Sequence, residues 1–90
     1  MITPAGIAIT QRFFECLDYL VSSKIIRGEK TFCDLFKINR GNLYSIRKNP
    51  DKYSIRPQYI YYICKEYNIS ETYIILGVGD ILKKNDKTPN

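Results

Sequence analysis

Residues 30–48 read Lys30-Thr-Phe-Cys-Asp-Leu-Phe-Lys-Ile-Asn-Arg-Gly-Asn-Leu-Tyr-Ser-Ile-Arg-Lys48, and they hold two short amphipathic patterns with a break between them. Phe32, Cys33 and Phe36 recur at the spacing of one helix face, and Leu43 and Ile46 do so again beyond Asn39. Thr31 followed by Asp34 is a capping-box pattern and predicts a helix start at Thr31. Asn39 suits a second N-cap, since its side-chain oxygen can accept a backbone N–H that the first helical turn leaves free. Asn49-Pro50-Asp51 stops the second pattern, because a residue that precedes proline avoids the α region. A helix from Thr31 to Lys37, a tight turn and a helix from Arg40 to Lys48 follow.

Outward from this pair the same signals recur. Upstream, Thr10 is a plausible N-cap for a helix to Ser23, with Phe13, Leu17, Leu20 and Val21 on one face and Gly28 marking the turn after it. Downstream, Pro57 suits the first turn of a helix through about Tyr67, with Ile60, Ile63, Cys64 and Tyr67 as its inward stripe. Ser70 can cap a fifth helix, Ile69 and Ile74 flank that cap at the spacing of a hydrophobic staple, and Gly77 ends it. The expectation is an all-α fold, a compact bundle of about five short helices containing a helix-turn-helix. Residues 1–9 are expected to be loose, residues 10–82 to form the domain, and residues 83–90 to be a flexible basic tail.

Composition narrows the function. With 90 residues the chain suits one domain, and its 44% apolar and 26% charged residues suit a soluble fold and not a membrane protein or a disordered chain. The N-terminus, broken by Pro4 and Gly6 and lacking early positive charge, does not read as a signal peptide. Cys16, Cys33 and Cys64 are scattered and odd in number, which suits buried thiols in a reducing cytoplasm better than a disulfide framework. There is no histidine and no Cys-x-x-Cys spacing, so no metal site or cofactor is expected. Without histidine, and with carboxylates scattered along the chain, no general acid and base can be assembled, so an enzyme is not expected.

The net charge of +5 is unevenly placed. Residues 24–56 carry nine basic and three acidic side chains, whereas the segments on either side sum to −1 and zero. Charge gathered in this way suits a face that displaces counterions from a polyanion, or else a solvated lysine-rich surface. The two central helices sit inside this segment. A helix-turn-helix needs a small residue where its helices cross, here Cys33, and apolar facing residues, here Phe36, Ile38, Leu43 and Ile46. Arg40, Gly41, Tyr44, Ser45 and Lys48 are left for the outer face.

The segment Lys30–Lys48 resembles the helix-turn-helix of the lambda-repressor-like family of bacterial and phage regulators, and Asn68-Ile-Ser-Glu-Thr-Tyr-Ile-Ile-Leu-Gly-Val-Gly-Asp80 resembles a segment recurring in phage-type repressors. Together these cover most of residues 10–82. The resemblance implies a five-helix domain that binds double-stranded DNA as a repressor-like regulator. Two positions depart from the family pattern: Lys37 stands where the turn usually has glycine, and Glu29-Lys30-Thr31 replaces the usual glutamine at the start of the first motif helix.

Residue roles follow from chemistry at these positions. Arg40 can fork onto guanine O6 and N7 or bind a phosphate, and Asn42 and Ser45 can meet a purine edge, unless Asn42 only supports the cap. Tyr44 can pack on a thymine methyl, bond a phosphate, or belong to the core. Gly41 either lets the helix approach the duplex or relieves crowding against the preceding helix. Arg47, Lys48 and Lys52 are expected at phosphates, as are Lys30 and Thr31 at a helix N-terminus. Tyr59, Tyr62 and Tyr73 are expected to form an aromatic surface, either a homodimer interface or a core edge whose hydroxyls reach water. The competing class is a helical protein-interaction module that binds an acidic partner. No membrane or small-molecule partner is expected.

Overall fold

The computed structural model describes residues 2–83 and contains helices α1 (Pro4–Ser22), α2 (Glu29–Phe36), α3 (Arg40–Lys48), α4 (Pro57–Tyr67) and α5 (Glu71–Leu76). The architecture is an all-α bundle. Beyond Lys83, the tail expected over 83–90 lies outside the described residues.

Helix α1 begins six residues earlier than the sequence suggested, so residues 4–9 are helical and not loose. Thr3 is the N-cap, its Oγ1 accepting the Gly6 N–H at 3.1 Å, and Pro4 takes a first-turn position where no N–H is required. Thr10 is then interior to the helix and fully buried. Its hydroxyl accepts the Ile55 N–H at 3.0 Å, a tertiary bond in place of the expected cap.

Helix α2 also starts early, at Glu29. Gly28 precedes it in extended backbone with no side-chain cap, and the Thr31 N–H goes to the Gly28 carbonyl at 3.0 Å. The Thr31–Asp34 capping box is not formed, because Thr31 is already inside the first turn and Asp34 pairs with Lys30 at 2.6 Å. The residue that caps its C-terminus, Lys37, has φ 57° and ψ 43°, the left-handed conformation that the turn to α3 requires. A residue with a Cβ pays about 1–2 kcal/mol there.

The last three helices start and stop as the sequence predicts. Asn39 Oδ1 accepts the Asn42 N–H at 2.9 Å, Pro57 opens α4, and the Ser70 hydroxyl accepts the Tyr73 N–H at 3.2 Å. Gly77 closes α5 at φ 71°, while Arg12 of α1 donates to the Ile74 and Ile75 carbonyls at 2.8 and 3.2 Å. The chain then folds back, and a single antiparallel bridge pairs Ile69 with Leu82.

The core lies around α1, which packs against α2, α3 and α5, while α4 packs on α5 and sets Tyr62 and Tyr67 against Phe36 and Phe32 of α2. Phe13, Cys16, Leu17 and Leu20 are wholly buried there, and Phe13 stands edge-on to both Phe14 and Phe32. All three cysteines are buried and free; burial pushes the Cys16 thiol up to about 12 and the Cys64 thiol up to about 11. Among the described residues no helix is long and apolar enough to cross a membrane.

Two substitutions flanking the turn should act in opposite directions. Lys37→Gly relieves the left-handed strain and should raise unfolding stability by about 1 kcal/mol, while Asn39→Ala removes the α3 cap and should lower it by about 1 kcal/mol. Urea denaturation reads both; midpoints moving the same way would contradict these assignments.

Candidate nucleic-acid interface

Successive residues of a helix are 100° apart, so the nine residues of α3 divide cleanly. Leu43 and Ile46 turn into the core. Arg40, Tyr44 and Lys48 form one outward stripe at four-residue spacing, and Asn42 and Ser45 lie on the opposite shoulder with Gly41 between. Arg40, Gly41, Asn42, Tyr44 and Lys48 are exposed and Ser45 is half-buried. Tyr44 is 57% exposed with the Lys48 ammonium 5.8 Å from its ring centre, which removes the core-aromatic alternative. Gly41 has a local reason: a Cβ there would stand 3.1 Å from Asn39 Oδ1, so the crowding it relieves is against the cap and not against α2.

Asn42 and Ser45 form one wall of a cleft of about 520 Å³ whose other wall is Lys52, Tyr53, Ser54 and Arg56. The connection over residues 49–56 is shaped by the Asn49 carbonyl, which accepts the Lys52 and Tyr53 N–H groups at 2.9 and 3.0 Å. It is pinned at its far end by buried Ile55 and the Thr10 hydroxyl. Lys52, Ser54 and Arg56 are exposed, and neither cation makes an ion pair among the described residues. Tyr53, Ser54 and Arg56 were not singled out from the sequence. Arg56 contributes to the basic excess, but nothing local shows that the connection turns back beside α3.

Two expected phosphate contacts, Arg47 and Thr31, are placed differently. Arg47 is turned away from the outer face of α3: its two terminal nitrogens donate to the Asp18 carboxylate at 3.1 and 3.0 Å, and one of them reaches Glu29 at 2.7 Å. Its guanidinium carbon lies 4.6 Å from the Phe14 ring centre. The hydrogen bonds it donates to Asp18 hold the guanidinium pKa above its ordinary value. Thr31 is half-buried within the first turn of α2 with its N–H committed, and Glu29 brings an anionic group to that N-terminus, so the expected phosphate site at Thr31 is not formed. Lys30 stays on the surface, paired with Asp34, and an exposed pair of this kind contributes less than about 1 kcal/mol.

Of the three tyrosines expected in an aromatic surface, Tyr59 is buried, and Tyr62 and Tyr73 are half-buried at the core edge. Tyr59 is 8% exposed, because it shares the inward face of α4 with Ile63 one turn later. Tyr62 stacks on Phe36 of α2, with ring centres 4.4 Å apart and planes 3° from parallel. Tyr73 donates to Glu15 at 2.6 Å, and this bond pushes its phenol up to about 12. Tyr61 is the exposed member of this region, lining a groove with Ile75 of α5; Leu76 and Val78 beyond are exposed too.

Comparison with protein-family models, with curated proteins and with solved structures gives no match to this chain.

The Thr10–Ile55 bond links the core to the cleft wall. Thr10→Val keeps the shape but leaves the buried Ile55 N–H unpaired, and should cost about 1–3 kcal/mol in denaturant unfolding. Hydrogen exchange at residues 52–56 should rise more than at α5; a uniform rise would count against the pinning role.

Proposed function

We propose that this chain binds double-stranded DNA sequence-specifically through α3, as a repressor-like transcriptional regulator of phage or mobile-element type. The observation that carries this reading is the outer face of α3. There Arg40, Asn42, Tyr44, Ser45 and Lys48 are turned to solvent or to an open cleft, and no ion pair engages its cations among the described residues. The helix has only two buried side chains, Leu43 and Ile46, so most of its surface is left for a partner. The likeness of residues 30–48 to lambda-repressor-like regulators supports the same reading.

In this reading α3 lies in the major groove. Arg40, in its first turn, forks onto guanine; Asn42 and Ser45 meet a purine edge; Tyr44 covers a thymine methyl. Lys48, Lys52 and Arg56 hold phosphates on the two sides of the helix and set its register without discriminating bases. Free, buried thiols suit a protein kept in a reducing cytoplasm. An acidic protein partner for the same face is the competing class.

Selection of bound duplexes from a random pool, followed by salt titration, separates these. DNA binding gives a linear fall of log K with log salt, steep in proportion to the phosphates engaged. Arg40→Ala should cost about 1–3 kcal/mol on the selected duplex and relax one base position; Lys48→Gln should weaken all duplexes alike and make the slope shallower by about one. Unchanged base preference in Arg40→Ala contradicts the placement of α3.

The exposed apolar groups supply a second element of the reading, a homodimer through Tyr61, Ile75, Leu76 and Val78 and not through Tyr59, Tyr62 and Tyr73. Residues 57–90 sum to zero charge, so two copies meeting there keep their basic central segments away from the contact. Sedimentation at micromolar concentration should show a dimer that Leu76→Asp dissociates; a monomer throughout removes this element.

A further inference from the structure

We infer that Arg47 is the positioning residue of α3: it fixes how the helix stands on α1 and α2, and operator affinity depends on it although it touches no DNA. The inference rests on the reading of α3 as the DNA-contacting helix.

Arg47 is the point at which three helices meet through charge. From the last turn of α3 it reaches Asp18 on α1 through two parallel hydrogen bonds and Glu29 in the first turn of α2 through a third. Its side chain is 30% exposed and its plane covers Phe14. A rigid planar fork bound to a carboxylate in this way fixes direction as well as distance, which a lysine ammonium does not. The arrangement also suits the helix ends it joins, since a cation is favoured at the C-terminus of α3 and an anion at the N-terminus of α2.

The other contacts that hold α3 are apolar and do not fix direction: Leu43 and Ile46 in the helix, and Ile38 and Ile55 in the connections on either side. The helix is nine residues long with two buried side chains, and its covalent link to α2 passes through Lys37 in a strained left-handed conformation. Without Arg47, the Asp18 and Glu29 carboxylates lose the cation they share. Repulsion between them then opposes the approach of α1 and α2 at the end where α3 is held.

The test compares Arg47→Met, Asp18→Asn and Glu29→Gln in the full chain, on a selected duplex and on an unrelated one, at a temperature where circular dichroism shows each variant folded. Positioning predicts that all three bind the selected duplex on the order of fivefold more weakly, with the salt slope unchanged. Arg47→Lys should recover only part of the loss. A simple effect of the cluster's charge on the duplex predicts the opposite sign for the two carboxamide variants, which remove negative charge and would bind more tightly. Tighter or unaltered binding by Asp18→Asn and Glu29→Gln overturns the inference. So does a slope reduced by about one in Arg47→Met, which would make Arg47 a phosphate contact.

Amide hydrogen exchange supplies a readout that needs no DNA. In Arg47→Met and Asp18→Asn, exchange over Arg40–Lys48 should accelerate while α5 is unchanged, and equal protection of α3 overturns the inference. A wild-type chain that binds no duplex removes the functional reading, and the exchange measurement alone then decides whether Arg47 holds α3.

Discussion

Between Thr10 and Asp18, α1 engages four other parts of the chain. Thr10 holds the connection before α4, Arg12 caps the end of α5, Phe13 meets Phe32 of α2, and Phe14 and Asp18 receive Arg47 of α3. Thr10 to Asp18 rise only about 12 Å along the axis. A domain this small cannot build several cores, so a single helix has to present apolar surface and polar anchors together. Helices as short as α2, α3 and α5 are marginal alone and take their stability from that docking.

Several of the polar contacts close helix ends. Asn39, Ser70 and Thr3 satisfy first-turn N–H groups, and Arg12 satisfies last-turn carbonyls of α5. The outer face of α3 is left free of such obligations. Lys37 runs against this economy, holding a left-handed conformation that glycine would adopt without strain. Strained backbone persists where surrounding structure over-determines it. Here the Asn39 cap follows at once, and the Lys37 and Ile38 N–H groups both reach the Cys33 carbonyl.

Helices α3, α4 and α5 were legible because their limits are written in adjacent residues: Asn39 and Pro50, Pro57, Ser70 and Gly77. The start of α1 was misread because two cap-competent threonines, Thr3 and Thr10, stand within one apolar run. Burial of Thr10 against Ile55, 45 residues away, determines which one caps. Helix α2 was misread for a related reason. Thr31 and Asp34 have the spacing of a capping box, but Glu29 is drawn into the first turn, where the helix dipole favours it and Arg47 meets it.

The candidate interface divides along the same line. The outward stripe of Arg40, Tyr44 and Lys48 followed from helical phase, which is a property of neighbours in the chain. Assigning Arg47 to a phosphate did not hold, because its partner Asp18 is 29 residues away on a helix whose angle no local pattern encodes. Tyr59, expected in an aromatic surface, is turned inward by its phase with Ile63. The sequence by itself determined five helices, their caps from Asn39 onward and the outer face of α3, since propensity, periodicity and capping act over one or two turns. Tertiary structure alone decided which cations stay unpaired, that Tyr53, Ser54 and Arg56 come to wall a cleft beside α3, and that Arg47 faces inward. Those outcomes depend on charges and hydroxyls that meet only after the chain has folded around α1.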